Sequence, residues 1–320
     1  MPAFASTHVD SVLTRFSRQY PLGTALVQDL LFPRVPVSKE TGLFFRYDKG
    51  DQARIPYTKR QIRSESRTVD WRVDTDTYAC EEYALNDLID DREYGQADTP
   101  LNLQRDTVMN LQRLMVLDRE KRVHGLATDA AVITKNVTLT GTNQWRDAGA
   151  EGTTATPLAD FEARAEAVRA DTGVRPNTVV FGMQAWLAWS KTSDVMDRII
   201  TPGGPWGSPT ITTDVARILL APYGVTTVRV ADQIENTAGF GATDSFSDIW
   251  TDVVGLYYIT PTPGVKTVSF GYSFWSKAWQ VRRARLETQH SDWFEPSYVV
   301  DEKVIAADVA ALIIDVSDGS

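Results

Sequence analysis

The 320-residue chain has one cysteine, three histidines and no long apolar run. Cys80 alone can form no intrachain disulfide, and its acidic neighbours Glu81 and Glu82 offer none of the positive surroundings that activate a thiol. His8, His124 and His290 are not spaced with a second histidine or a cysteine, so no metal is expected. Apolar runs such as Ile218 to Ala221 and Ala310 to Ile314 are far too short to cross a bilayer. Met1 to Asp10 lacks the charged and apolar regions of a secretory signal, which reads as a cytoplasmic protein with no membrane partner. There is no GxxxxGK[ST] phosphate loop and no GxSxG elbow, and Gly239-Phe240-Gly241 lacks the third glycine of a dinucleotide loop. No catalytic residue and no cofactor is assigned. The carboxylate pairs Glu81-Glu82 and Asp90-Asp91 suit an acidic surface as well as acid–base chemistry.

What is present is a large core and an uneven charge. At 42% hydrophobic residues the chain can fold as two domains or one elaborate one. The net charge of -9 argues against general affinity for nucleic acid. Between Arg34 and Arg72 lie the cations Arg34, Lys39, Arg46, Lys49, Arg54, Lys59, Arg60, Arg63, Arg67 and Arg72, against half as many acids. From Asp74 to Asp98 the only cation is Arg92, among Asp74, Asp76, Glu81, Glu82, Asp87, Asp90, Asp91, Glu93 and Asp98. Each block can be a solvated face; side by side they also suit a protein that docks plus on minus with copies of itself.

The dominant pattern is Pro100 to Leu126, which reads as one helix of about 25 residues, roughly 38 Å long. Asp98 and Thr99 are its candidate caps and Gly125 its stop. Leu101, Val108, Leu111, Met115, Val123 and Leu126 share one face, flanked by Met109 and Val116. Before it, His8 to Tyr20 reads as a short helix, and Pro33 and Pro36 force an extended path. Thr41 to Tyr57 has a hairpin-like turn signal at Asp48-Lys49-Gly50-Asp51, and Thr68 to Cys80 alternates as a strand. Two such strands joined by a charged tip form a projecting arm that something outside the subunit completes.

After the long helix, Ala130 to Gly141 reads as a strand or hairpin, and Leu158 to Thr172 as a helix ending at Gly173. Asn177 to Gly182 reads as a buried strand and Met183 to Ile200 as a helix. The loop TPGGPWGSPT follows, then a helix at Thr213 to Ala221 and strands at Val225 to Ala231 and Val253 to Thr260, with a surface loop from Glu235 to Ser247 between them. Lys266 to Phe274, Ala278 to Thr288 and a buried strand pair within Tyr298 to Val316 form a closing β layer, expected to pack on the long helix.

This order, with the stretches LLFPRVPVSKETGLFFRYD, RPNTVVFGMQAWLAW and WFEPSYVVDEKVIAADVAALIIDV, resembles the major capsid proteins of tailed bacteriophages, the Hong Kong 97-like fold that encapsulins share. The resemblance implies an α+β fold. Its parts would be an N-terminal arm (1–36), an extended β-hairpin loop (37–97), a peripheral domain with the spine helix (98–154 and 264–320) and an inserted α/β axial domain (155–263). It implies a structural protein rather than an enzyme: a homo-oligomer of hexameric and pentameric capsomers, closing into an icosahedral virion shell around double-stranded DNA. Assembly in the host cytoplasm, a portal and decoration proteins belong to the same expectation. About 35 residues precede the arm, so a separate scaffolding protein is expected.

Carried onto this sequence, subunit contacts of the extended loop fall to Arg54, Lys59, Arg60, Arg63, Arg67 and Arg72, and an acidic partner surface to Asp87, Asp90, Asp91 and Glu93. Spine-helix positions are Val108, Leu111, Met115, Arg119 and Arg122, and the axial loop contributes Gly203, Gly204 and Trp206. Lys49 and Lys59 lie where some members crosslink, but nothing marks a partner asparagine or catalytic glutamate, so crosslinking is not expected. The alternatives are an encapsulin-like compartment shell and, from a different class, a soluble α/β enzyme or ligand-binding protein.

Overall fold

The computed structural model describes residues 8–9, 26–47, 49–66, 68–70, 73–96, 102–145, 155–199, 211–239, 241–264 and 267–317. The expected caps Asp98 and Thr99, most of the first helix, and the loop holding Gly203, Gly204 and Trp206 lie outside these residues, as do Arg67 and Arg72. At His8–Val9 the backbone is a short strand antiparallel to Arg282 and Arg283, not helix.

One five-stranded sheet holds the strands Asn136–Thr138, Ala310–Ile314, Val254–Tyr257, Thr178–Gly182 and Thr227–Ala231, in that order across the sheet. Its runs TVVFG, VGLY and AALII lack polar alternation because both faces are covered. Val179, Phe181, Val254, Leu256, Ala311 and Ile313 point at one core, where the helix Pro157–Thr172 adds Leu158, Phe161, Ala165 and Val168. Val180, Tyr257, Ala310 and Leu312 point at the other, against Val123 and Ala127 of the long helix. Gly173, left-handed at φ 75°, ends the Pro157–Thr172 helix as the sequence suggests, and Pro157 begins it one residue before the expected start at Leu158.

A second, six-stranded sheet is built on the long hairpin Gly271–Leu286 with Ser291–Val304. The strands expected at Lys266 to Phe274 and Ala278 to Thr288 are one continuous strand, carried past Ser276 by two register shifts. Tyr298 to Val316 is likewise not a strand pair. Val304 ends the hairpin, the chain turns at Ala307–Val309, and Ala310–Ile314 enters the other sheet between Val254–Tyr257 and Asn136–Thr138. An unbroken apolar run fits only a strand covered on both faces, and the five-stranded sheet supplies that place.

The long helix spans Leu103–Ala127, 25 residues, and bridges the two sheets. Val108 packs with Ile89, Val281 and Phe294, Met115 with Trp275, Tyr298 and Val300, and Val123 and Ala127 under the five-stranded sheet. Its cap is Asn102, whose Oδ1 accepts from the Arg105 N–H at 3.2 Å. Gly125 is not the stop; it sits inside the last turn, where a side chain would meet open space, and Thr128 follows the helix end. The buried residues are Val108, Gln112, Met115, Val116, Arg119, Glu120, Val123 and Ala127. They keep helical spacing, but three of them are polar, so the buried face is not the purely apolar stripe that residue types suggest.

The arm pairs Thr41–Tyr47 with Val73–Ala79 in a regular antiparallel ladder. The expected turn near Lys49-Gly50 is instead a short helix, Lys49–Ala53, so the partner strand comes after a long excursion rather than by Tyr57. Met183 to Ile200 is two helices, Met183–Trp189 and Ser193–Ile199, broken at Ser190 to Thr192. Only Asn136–Thr138 of the segment Ala130 to Gly141 is strand, and Ile234–Asn236 pairs with Phe246–Asp248 where a surface loop was expected.

Candidate functional site

Period-2 alternation divides the arm into two faces. Phe44 and Tyr78 stack on Phe274, at ring distances of 5.5 and 4.7 Å, and Lys303 donates to Asp76 at 2.7 Å. The opposite face carries Leu43 and Phe45, each 68% exposed, beside Val73, Thr75 and Thr77. Beyond the strands, Ile55, Tyr57 and Ile62 are exposed, Ile62 to 96%, together with Arg54, Lys59, Arg60 and Arg63. Arg60 donates to the Ser64 carbonyl, and Arg63 has a left-handed backbone at φ 63°.

The arm is also tied to its own subunit at Lys49. Lys49 Nζ lies 2.8 Å from Asp171 and 2.7 Å from Asp308, and Lys135 reaches the same Asp171 at 2.7 Å. Burial works against the Lys49 charge, yet the two carboxylates outweigh it and hold its pKa above the usual lysine range. Between this tie and the stack on Phe274 lies an open cleft of about 1300 Å³, lined by Val35, Phe44, Tyr272, Phe274, Ile305 and Val309 among others.

The acidic residues sit elsewhere. Asp87 and Asp90 lie on the edge strand Asp87–Asp90, which pairs with Ser291 to Phe294, and Asp91 and Glu93 begin the following helix. Leu85 and Leu88 are exposed among them, 40% and 41%. Asp91 receives Arg285 at 2.6 and 2.5 Å, and that guanidinium keeps its carboxyl below the usual range. Among the described residues no ion pair joins the four acids to Lys59, Arg60 or Arg63.

On the long helix, Arg119 and Arg122 meet the hairpin. Arg119 is 1% exposed; its Nε donates to Glu302 at 2.8 Å and its NH1 to Asp29 at 2.8 Å. Arg122 donates to Glu302 at 3.3 Å and to the Tyr298 hydroxyl at 3.0 Å, with its guanidinium 3.6 Å above the Tyr83 ring. Arg34 grips Asp29 through two bonds, 3.1 and 2.7 Å, and lies over Trp275. Burial raises the Asp29 pKa, but the two guanidiniums prevail and leave it lowered.

The residue that sequence reasoning missed is Glu120. Its carboxylate is wholly buried and accepts from the Val27 N–H at 3.2 Å, the Gln28 N–H at 3.1 Å and Trp250 Nε1 at 3.1 Å. Burial raises its pKa against the pull of these donors. The available signal was spacing: Glu120 stands four residues after Val116 and three before Val123, on the core side. Among the described residues no His, Cys, Asp and Glu group is placed to hold a metal ion, and no helix is long and apolar enough to cross a membrane.

A helix laid across two sheets, with a two-stranded arm projecting from the platform, is the Hong Kong 97-like capsid fold. Solved structures bear this out. A phage-related protein from Bordetella bronchiseptica RB50 superposes with a TM-score of 0.72 at 23% identity, over 97% of this chain and 98% of that one. The capsid of cyanophage P-SCSP1u gives 0.60 at 9% identity, over 94% and 92%. No protein-family model matches the sequence. Two curated relatives do, both called major capsid protein: that of Burkholderia phage BcepMu, 26% identical over 95% of each chain, and that of Pseudomonas phage JBD67, 26% identical over 54% of each. The alignment with the second spans about half the length of that relative. The chain therefore has the Hong Kong 97-like capsid fold, and both curated proteins that it matches are phage major capsid proteins.

Proposed function

We propose that many copies of this chain close into an icosahedral shell of hexameric and pentameric capsomers, assembled in the host cytoplasm, and that the arm of each copy is completed by its neighbour. The observation that carries this reading is the arm's open face. Leu43, Phe45 and Val73 are left in water on a two-stranded ribbon, which is marginal by itself. Its distal part joins exposed Ile55, Tyr57 and Ile62 to Lys59, Arg60 and Arg63; the edge near Leu85 and Leu88 joins apolar residues to Asp87, Asp90 and Glu93. Basic-and-apolar against acidic-and-apolar is a complementary pair between two copies. Each such contact is weak alone, but a subunit in a closed shell makes several at once and leaves only by breaking them together.

The remaining roles follow from the same reading. The chain acts as structure and not as a catalyst, and Gly203, Gly204 and Trp206 belong to the axial loop. Its net charge of -9 keeps enclosed double-stranded DNA from being gripped by the wall. A scaffolding protein, a portal and decoration proteins are its proposed partners. The test is negative-stain electron microscopy of the purified protein, alone and co-expressed with a candidate scaffold. Closed shells, tubes or capsomer rings are expected. Uniform small particles in both preparations would overturn the shell. Changing Arg60, Arg63 and Arg67 together to Glu is expected to abolish particles while leaving the melting temperature unchanged, and normal particles would remove the role given to the arm.

A further inference from the structure

We infer that the adjacent residues Arg119 and Glu120 form a register pin that fixes where the segment after Val27 crosses the platform, and with it the direction in which the hairpin arm that follows, Thr41–Tyr47 with Val73–Ala79, meets neighbouring copies. This rests on the shell reading above. The two side chains diverge from one turn of the long helix and gather three distant segments. Glu120 takes the Val27 and Gln28 N–H groups and the Trp250 indole; Arg119 takes Asp29 from the arm root and Glu302 from the long hairpin. The arm root continues as Arg34–Pro36, parallel to Ser273–Trp275, with Ser273 Oγ donating to the Phe32 carbonyl at 3.0 Å.

Stability alone does not account for these charges. Burying a carboxylate and a guanidinium carries a desolvation cost that apolar side chains of similar volume avoid. The surroundings are apolar enough for such a replacement: Val27, Leu31, Phe32, Val123 and Trp250 share one core here. What apolar residues lack is direction. A greasy contact lets the arm root slide by a residue along the helix, whereas backbone N–H groups held by Glu120 and a carboxylate held by Arg119 meet their partners at a single setting. Arg119 and Glu120 are thus positioning residues, acting on assembly through the arm.

The test compares Glu120→Gln with Val179→Ala, a cavity made in the far core of the five-stranded sheet. Amide exchange in the full-length unassembled protein and particle diameter after assembly are both read. Glu120→Gln is expected to speed exchange at Val27 and Gln28 at least tenfold, leave the Gly271–Leu286 strand protected, and broaden the particle diameters. Val179→Ala is expected to lower the melting temperature with arm-root exchange and diameters unchanged. Should Glu120→Gln prove insoluble, Asp29→Asn, which removes the pin's other arm contact, is read the same way. Unchanged exchange, loosened exchange with uniform particles, or equal loosening in Val179→Ala would each overturn the pin. Absence of particles from the unmodified protein would instead overturn the shell reading.

Discussion

The five-stranded sheet and the arm are built from similar strands, yet one is finished and the other is not. Thr178–Gly182 is buried along its whole length, with a core on each face. Thr41–Tyr47 has a partner strand and one covered face, while Leu43 and Phe45 stand in water. The first element's energy is complete within one chain, whereas the second leaves apolar surface in water that the proposed shell assigns to a neighbour. Substitutions in the two regions should therefore separate subunit stability from assembly.

The largest effect on the subunit is expected where the long helix meets the hairpin. Met115→Asp puts an unpaired carboxylate against Trp275, Tyr298 and Val300 and should cost about 4 kcal/mol in urea unfolding. An unchanged midpoint would mean that this face is open like the arm's. Next comes Gly182, at the junction of strand and helix, where an added Cβ would lie 2.1 Å from the Thr251 carbonyl oxygen. Gly182→Ala should cost about 3 kcal/mol, because backbone on that side has to move.

A smaller effect depends on pH. His124 packs edge-on to Trp250, and burial, partly opposed by Glu235 and reinforced by Lys121, lowers its pKa below 6.5. Its neutral form is favoured in the fold, so this contribution is present above pH 6.5 and is lost as pH falls through the lowered value. His124→Phe should flatten the decline in melting temperature between pH 7 and pH 5; an identical decline would place the cause elsewhere.

The smallest effects on the subunit are expected in the arm. Phe45→Ser should change unfolding free energy by less than about 0.5 kcal/mol while sharply reducing particle yield. Lys49→Glu breaks exposed ion pairs to Asp171 and Asp308, so it too should leave the subunit within about 1 kcal/mol of the original. It should speed protease cleavage between Arg54 and Glu65, and an unchanged cleavage rate would show that the tie does not restrain the arm.

Local signals were the legible ones. The Pro157–Thr172 helix could be recognised by its amphipathic spacing and its end at Gly173, the long helix by its apolar spacing, and the second arm strand by alternation. Long-range destinations were not. Ala310–Ile314 reads as buried strand, but nothing local says that it leaves the sheet of Ser291–Val304 for the other one. Arg119 stood out only as a spine-helix position and Glu120 not at all, for a related reason: a charge on a helix reads as solvent-facing unless its partners are known, and Asp29, Val27, Trp250 and Glu302 are far away in sequence. The arm and acidic edge were visible as charge blocks, but not the use of Asp91 by Arg285 of its own chain.

The place of Ala310–Ile314 also sets a clock. It lies between Val254–Tyr257 and Asn136–Thr138, so the sheet that begins with residues near 136 stays open until residues near 314 have been synthesised. At ordinary translation rates that delay is on the order of ten seconds. During that interval a nascent chain carries Asn136–Thr138 without the strand it pairs with, and Val254–Tyr257 with one side still open.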